Sequence, residues 1–161
     1  MKILIVYYSF DGNCKYVAEE ISKSVNAEIL ELKPKTDAKD KSILKHIFGG
    51  KQAFVNEKTE LFPFEKNIDS YDFIFLGTPV WKLNYAPALK TFLSENKIKE
   101  KKVALFCCGK GGMGKALENM KKELLENEVI SEIEFVNPLK QTKYNMEVRV
   151  ETWVDNIMEA F

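Results

Sequence analysis

The sequence predicts an α/β fold in which a parallel sheet is covered by helices on both faces. Short runs of consecutive apolar residues alternate along the chain with longer stretches whose apolar residues recur at helical spacing. The apolar runs are typical of strands buried on both faces, and strands that alternate with helices form doubly wound sheets. With 161 residues, 45% of them hydrophobic, the chain can build one full core. We therefore expect one domain over residues 1–161.

The first strand and the loop after it carry the strongest signal. Residues 3–8 are continuously apolar or aromatic, and a helical pattern begins a few residues later. The first turn of a helix has free backbone N–H groups and partial positive charge, so it binds anions. Ser9 and Asn13 offer donors and Gly12 allows close approach, whereas Asp11 would either repel a phosphate or cap the helix. This loop alone is consistent with a phosphate site and equally with a capped turn that binds nothing.

The later elements follow from the same two patterns. Further strands are predicted from apolar or alternating runs at residues 28–32, 73–76, 103–107 and 133–136. Further helices are predicted from helical spacing at residues 87–93, 113–124 and 150–161, with Met113 and Phe161 on buried faces. Gly77 and Pro79 are expected to end the third strand, which makes residues 78–85 a loop. Residues 33–71 have the weakest pattern, with short helices suggested near residues 43–48 and 53–54.

Charge and cysteine content exclude several classes of function. Lys+Arg and Asp+Glu number 24 each, so no net field favours nucleic acid or an anionic membrane, and neither partner is predicted. The cysteines Cys14, Cys107 and Cys108 form no CxxC motif, which indicates a reducing compartment, and the adjacent pair is interpreted as buried strand residues. The first apolar run is too short for a signal peptide or a membrane span, so we expect a cytoplasmic protein. His46, the single histidine, has no ligand partners at metal-binding spacing, and no metal site is predicted.

Three loops are expected to meet at one edge of the sheet, because the carboxyl ends of parallel strands share an edge. They are residues 9–14, residues 78–85 with Trp81 and Tyr85, and residues 108–114 with four glycines. The first offers an anion site, the second an aromatic face, and the third backbone that can lie close to a ligand. Together they predict a site for a phosphate joined to a flat heterocycle.

The sequence resembles the flavodoxin family over its whole length. The resemblance rests on Ser9-Phe10-Asp11-Gly12-Asn13-Cys14, which is similar to the family's Thr/Ser-x-Thr-Gly-Asn-Thr phosphate loop, on Gly77-Thr78-Pro79-Val80-Trp81, and on the glycine-rich third loop. It implies a three-layer, doubly wound fold with a five-stranded parallel sheet of order 2-1-3-4-5 and FMN as cofactor. The residues that it implies for FMN binding are Ser9, Phe10, Asp11, Gly12, Asn13, Cys14, Thr78, Pro79, Val80, Trp81, Lys82, Tyr85, Cys108, Gly109, Lys110, Gly111 and Gly112.

The resemblance also implies a role for each loop. Ser9, Asn13 and the backbone of residues 10–14 would hold the FMN phosphate. Trp81 would stack on or edge the isoalloxazine ring, and residues 108–112 would line its other side. The third loop lacks the usual second aromatic, and Tyr85 of the second loop is the candidate for that place.

Several positions depart from the family pattern. Asp11 and Cys14 stand where hydroxyl residues are usual, which removes two donors and adds a negative charge beside the phosphate. Family members tend to place a glycine beside the flavin, but this chain has none in the second loop after Gly77. Asn84 is the nearest residue that tolerates positive φ.

The charge of the chain departs from the family as well. Family members are typically acidic, whereas this chain is neutral and has Lys82, Lys110 and Lys115 in or beside the loops. Positive charge there should stabilise an anionic reduced flavin, so reduction is predicted to be less difficult. The resemblance implies a low-potential electron carrier between cytoplasmic redox enzymes, without catalytic residues of its own. Such a carrier would be a monomer that meets its reductase and its acceptor transiently.

Three other functions stay open on the sequence. An FMN enzyme of the same fold could reduce quinones with NAD(P)H, and a domain that binds no flavin could act as an interaction module. The run Lys110-Gly111-Gly112-Met113-Gly114-Lys115 also matches the K-G-G-x-G-K loop of one class of ATPases. In that class a Ser or Thr that holds Mg²⁺ follows, and Ala116 at this position argues against it.

Overall fold

A twisted sheet runs through the centre of the computed structural model, which describes residues 1–36 and 58–161. The strands are β1 (Ile3–Tyr7), β2 (Glu28–Glu31), β3 (Phe73–Trp81), β4 (Asn84–Tyr85), β5 (Lys102–Gly109) and β6 (Glu128–Val136). The helices are α1 (Asn13–Val25), α2 (Pro87–Glu95), α3 (Ala116–Lys122) and α4 (Lys143–Met158), with 3₁₀ turns at Ile68–Ser70 and Pro138–Lys140. Among these described residues, no helix has both the length and the apolar character to cross a membrane.

The predicted fold class and strand order are confirmed. Five strands pair in parallel in the order β2-β1-β3-β5-β6, which is the expected 2-1-3-4-5 path once the short β4 is left out of the numbering. The additional strand, β4, pairs antiparallel with the end of β3. The strand order reverses between β1 and β3, so the cofactor position in such a sheet lies above the carboxyl ends of these two strands.

Alternate residues of β1 face two separate cores, which produces the three layers. Ile3, Ile5 and Tyr7 pack in the core that includes residues of α1 and α4, whereas Leu4 and Val6 pack in the core that includes residues of α2 and α3. All five residues of β1 are buried, which explains why the strand reads as an unbroken apolar run.

The expectation that Gly77 and Pro79 end the third strand is wrong, because β3 continues to Trp81. The Gly77 carbonyl accepts the Tyr8 N–H at 3.1 Å, and β1 pairs with β3 only as far as Gly77. Backbone groups alternate between the two sides of a strand, so Pro79 turns its nitrogen toward the side where β1 has already ended and no ladder bond is lost. Gly77 is required for packing, since a Cβ there would overlap the ring of Phe106 on β5.

Two helices differ from their predicted limits. Met113, expected on the buried face of α3, precedes the helix and is 37% exposed. Leu124 is buried but follows the end of α3. Helix α4 begins earlier than predicted, because the Thr142 side chain caps it by accepting the Asn145 N–H. Phe161 lies beyond the end of α4 and is half exposed, and its ring meets Phe73 at 5.2 Å between centroids.

The weakly patterned segment is described only in part. His46 and the short helices suggested near residues 43–48 and 53–54 lie outside the described residues. The described return of the chain has Leu61 in an antiparallel bridge with Pro34. Thr59 is fixed to α2, since its N–H donates to Thr91 Oγ1 at 2.9 Å.

Candidate cofactor site

The three predicted loops meet at the carboxyl edge of the sheet and line a cavity of about 550 Å³. This volume lies within the range of small-molecule and cofactor sites. The predicted residues that line the cavity are Phe10, Asp11, Asn13, Pro79, Val80, Trp81, Lys82, Cys108, Gly109, Lys110, Gly111 and Gly112. Leu83 and Asn137, which the sequence analysis did not select, line it as well.

Five of the predicted residues do not line this cavity. Ser9 and Gly12 shape the first loop, and Cys14 lies beneath it with 1% of its surface exposed. Thr78 is fully buried, where its hydroxyl donates to the Pro79 carbonyl and accepts the Ala86 N–H. Tyr85 is 3% exposed, and its hydroxyl donates to Glu123 at 3.4 Å. The structure therefore places Tyr85 in the core and not in the position of a second stacking ring.

Three side chains of the first loop accept hydrogen bonds from backbone N–H groups. Asp11 Oδ1 accepts the Asn13 N–H at 3.0 Å, and Ser9 Oγ accepts the Lys15 N–H at 3.2 Å. Asn13 Oδ1 accepts the Leu139 N–H at 3.0 Å, which ties the loop to the Pro138–Lys140 turn. The carboxylate of Asp11 thus accepts the N–H of the first residue of α1, as in an Asx turn, whereas the N-cap residue itself is Gly12.

Donors for an anion nevertheless remain at this helix start. Gly12, at φ +92°, is the N-cap of α1, and as a glycine it has no side chain that could accept a helix N–H. Among the described residues, the N–H groups of Gly12 and Cys14 have no acceptor. The Ser9 hydroxyl and the Asn13 amide can also donate, since each uses only its oxygen as an acceptor here. Two backbone and two side-chain donors at a helix start fit the phosphate of FMN.

Trp81 forms an aromatic wall whose orientation is set by two neighbours. Its indole meets the rings of Tyr8 and Phe10 edge to face, with both centroid distances at 5.6 Å and interplanar angles of 89° and 83°. Such contacts are a favoured geometry for aromatic pairs. Trp81 is therefore positioned before any ligand binds, which suits a residue that packs against a flat ring.

A strained two-residue turn joins β3 to β4 at the cavity. Trp81 pairs with Asn84, so Lys82 and Leu83 are the central residues, and both have positive φ, at 47° and 63°. Positive φ at both positions is what a type I′ hairpin requires, although Asn-Gly is the usual sequence. Asn84, the nearest residue in sequence that tolerates positive φ, does not adopt it, because it lies in β4, where its Oδ1 accepts the Tyr85 N–H and a hydrogen bond from the Asn119 amide.

The third loop presents open backbone to the cavity. Gly111 and Gly112 have φ of +102° and +91°, and a Cβ at either residue would meet no atom within 4 Å. Gly109 is closely packed, since a Cβ there would lie 3.0 Å from Glu134 Oε1 and 3.3 Å from Val80 Cγ2. Gly114 packs directly against Leu83 of the hairpin. The loop is thus fixed at Gly109 and Gly114 and open between them, where a flat ring has room to lie against it.

The three cysteines are core residues, as the sequence analysis proposed for the adjacent pair. Cys14, Cys107 and Cys108 are all buried and none forms a disulfide. Burial raises the pKa of the Cys107 thiol, and the negative charge of Glu134 raises it further. Burial and a hydrogen bond with the Cys108 thiol raise the pKa of Cys14 well above its usual value. The raised pKa values keep the thiols of Cys14 and Cys107 protonated at neutral pH.

One carboxylate oxygen below the cavity lacks a partner. Glu134 Oε1 is buried and has no hydrogen-bond donor among the described residues, and it lies under Gly109.

On the cavity surface, Lys82 and Lys110 contribute positive charge and Asp11 contributes negative charge. The charged groups that line the cavity are therefore mainly basic.

Asn137 could have been found from topology. It follows β6, whose carboxyl end lies at the same edge of the sheet as the other loops, and its N–H donates to the Gly109 carbonyl at 2.8 Å. Its φ of 44° is one that asparagine tolerates better than most residues. The sequence analysis interpreted Asn137-Pro138 only as a turn and so missed it.

Fold and site together define a doubly wound α/β protein with a cleft at the switch point of its sheet, the place where such folds bind their ligands. The family model for flavodoxin matches residues 2–157, and the chain belongs to the flavodoxin family.

Solved structures share the fold. A flavoprotein of Lactobacillus acidophilus in complex with FMN is 29% identical, with 83% of this chain and 92% of that chain covered at a TM-score of 0.62. A Bacteroides eggerthii protein described as a flavoprotein is 21% identical, with 98% of both chains covered at a TM-score of 0.75. Oxidised flavodoxin 2 of Bacillus cereus is 20% identical over 100% of both chains, at a TM-score of 0.66. A search of curated protein sequences found no match.

Proposed function

We propose that this protein binds FMN and carries electrons at low potential between redox enzymes of the cytoplasm. The observation that supports it most is the cavity itself, where a helix start with free donors, a positioned indole and an open glycine backbone surround one space. FMN, when bound, supplies the chemistry by accepting and releasing electrons. The complex of the Lactobacillus acidophilus flavoprotein with FMN supports the choice of cofactor.

The chain's own residues bind and orient the cofactor. The N–H groups of Gly12 and Cys14 and the side chains of Ser9 and Asn13 would hold the phosphate. Trp81 on one side and the backbone of Gly111 on the other would hold the ring and exclude water from its faces.

Asp11 opposes phosphate binding. Its carboxylate takes the Asn13 N–H, which would otherwise be available to an anion, and it lines the same cavity. Like charges at short distance repel, so this residue should weaken the affinity for FMN.

The lysines of the cavity should ease reduction. Lys82 and Lys110 both line the cavity, and positive charge there favours a reduced, anionic ring. Redox titration of Lys82→Ala and Lys110→Ala should show lower potentials than the wild type. Unchanged potentials in both variants would contradict this argument.

The spectrum of the purified protein tests the proposal. We expect a flavin absorption spectrum and release of FMN on denaturation, and a colourless chain that does not take up added FMN would contradict FMN binding. Steady-state oxidation of NAD(P)H with a quinone acceptor then separates a carrier from an enzyme of the same fold. A carrier should show negligible turnover, and rapid turnover would identify an oxidoreductase.

ATP hydrolysis is not expected, because Ala116 is fully buried at the start of α3 and carries no Mg²⁺ ligand.

A further inference from the structure

Lysines and exposed apolar side chains lie in or next to the segments that line the cavity, and we call this set the basic rim. Its apolar members are Leu83 (64% exposed), Met113 (37%) and Leu139 (54%). Its basic members are Lys82, Lys110, Lys115 and Lys140, all of them exposed. These members come from the second loop, from the third loop with the residue after it, and from the turn after β6.

Contacts among the loops hold the rim together. Lys115 N–H donates to the Leu83 carbonyl at 2.7 Å, which joins the second and third loops. Leu139 N–H donates to Asn13 Oδ1 at 3.0 Å, which joins the last turn to the first loop. The backbone at Leu83 and at Leu139 is therefore held by hydrogen bonds to neighbouring loops, which fixes the positions from which these two apolar side chains project.

Three of the four rim lysines lack a carboxylate partner among the described residues. Elsewhere on the surface, lysines such as Lys121 and Lys122 pair with glutamates at 2.9 and 2.7 Å. In the described part of the chain, Lys110, Lys115 and Lys140 have no carboxylate within ion-pair distance. The chain as a whole has equal numbers of basic and acidic residues, so this patch carries a local field that the net charge does not reveal.

We propose that the basic rim is the docking face for a protein partner with an acidic surface, one that exchanges electrons with the cofactor. This inference rests on the proposed function, because it names the partner chemistry of the same site. Exposed apolar residues surrounded by charge are the composition of a protein–protein interface, and complementary charge guides the encounter of transient partners. An interface of this kind is small, as is usual for weak electron-transfer complexes.

The test uses two redox proteins of opposite charge as probes. The ¹⁵N-labelled chain, as purified, is titrated at low salt with an acidic plant-type ferredoxin and, separately, with basic cytochrome c. We expect ferredoxin to shift the amide signals of Leu83, Lys115 and Leu139, with binding that weakens between about 20 and 200 mM salt. The variant Lys115→Gln/Lys140→Gln leaves the residues that line the cavity intact and should weaken ferredoxin binding about three- to tenfold.

Matched variants separate the rim from net charge. Lys97→Gln/Lys101→Gln removes the same charge near the amino end of β5, where Lys101 Nζ donates to the Asp69 carbonyl, and should bind ferredoxin like the wild type. Lys115→Glu/Lys140→Glu should reverse the preference in favour of cytochrome c. Circular dichroism checks that each variant is folded.

Four results would overturn the proposal. Two of them are that cytochrome c binds the wild-type rim as tightly as ferredoxin or more tightly, and that ferredoxin shifts only amide signals of another surface. The others are an unchanged affinity of the Lys115→Gln/Lys140→Gln variant for ferredoxin, and rim amide signals that shift with protein concentration in the absence of a probe, which would indicate self-association. The amide shifts do not need a bound flavin, and the absorption spectrum is recorded first. A colourless chain that still binds ferredoxin at the rim would therefore fail the proposed function and keep the docking surface.

Discussion

Replacing Gly114 by alanine should separate two of the loops that build the cavity. Gly114 has a φ of +54°, and a Cβ there would lie 2.5 Å from the Leu83 carbonyl oxygen and 2.6 Å from Leu83 Cα. These are backbone atoms, which cannot rotate away as a side chain can. The Lys115 N–H also holds the Leu83 carbonyl at 2.7 Å. The added methyl must therefore push the hairpin at Lys82 and Leu83 away from the third loop.

Two costs add for this substitution. An L-residue at positive φ costs about 1–2 kcal/mol, and overpacking costs about 1–3 kcal/mol. Gly111→Ala is the matched control, because Gly111 has a φ of +102° in the same loop but no atom within 4 Å of the added Cβ. Both substitutions restrict the unfolded chain alike, and that contribution cancels in the comparison. Gly114→Ala should therefore be less stable than Gly111→Ala by about 1–3 kcal/mol.

Urea unfolding without FMN measures this difference. We expect a lower midpoint for Gly114→Ala than for Gly111→Ala, with similar slopes if both variants unfold in one step. Gly111 lines the cavity, so the apo-protein is the correct form for comparison. Equal midpoints would refute the claim that close packing at Leu83 holds the two loops together.

Three further predictions concern packing, protonation and affinity. Gly77→Ala should destabilise the chain by about 1–3 kcal/mol in urea unfolding, and adding Phe106→Leu should recover part of the loss, because the leucine lacks the ring atoms that the methyl meets. Simple additivity of the two changes would contradict this. Folding raises the pKa of Cys107, so on raising the pH the unfolded chain loses this proton before the folded chain does. The contribution of Cys107 to the free energy of unfolding is therefore constant below about pH 8.5 and falls as the pH rises above it. Cys107→Ala should make this fall of stability with pH less steep, by up to about 1.4 kcal/mol per pH unit. An unchanged slope would show that Cys107 is not the titrating group. Asp11→Thr should tighten FMN binding, measured by fluorescence quenching, because it removes a carboxylate from the cavity. Weaker binding would mean that the hydrogen bond from the Asn13 N–H to Asp11, which supports the loop, contributes more to the affinity than the repulsion by the carboxylate removes.

The sheet could be predicted because burial on both faces leaves a direct record in the sequence. Residues 3–7 and 73–76 contain no polar side chain, since each face of these strands meets a core. A continuous apolar run of this kind fits a central parallel strand. Because these strands are parallel, their carboxyl ends lie at one edge of the sheet. The loops that follow them therefore meet, and most of the predicted site residues line one cavity.

The second loop could not be predicted because its structure depends on distant pairing. Proline ends a strand where its missing N–H would break a hydrogen bond to a neighbouring strand, but at Pro79 the neighbour β1 has already ended, so β3 continues. The hairpin that follows buries Tyr85 opposite Val80, which a local pattern cannot reveal. Lys82 and Leu83 have no intrinsic preference for positive φ, and contacts from Gly114 and Lys115 hold the turn.

The first loop shows that the two interpretations of its sequence are not alternatives. From the sequence, a capped turn and a phosphate site compete, because the Asp11 carboxylate suits the first and repels the ligand of the second. In the structure Asp11 binds one amide, that of Asn13, while the N–H groups of Gly12 and Cys14 have no acceptor among the described residues. A helix start has four free N–H groups, so one cap leaves room for an anion. We therefore expect the carboxylate to affect how strongly a phosphate binds and not whether donors for it are present.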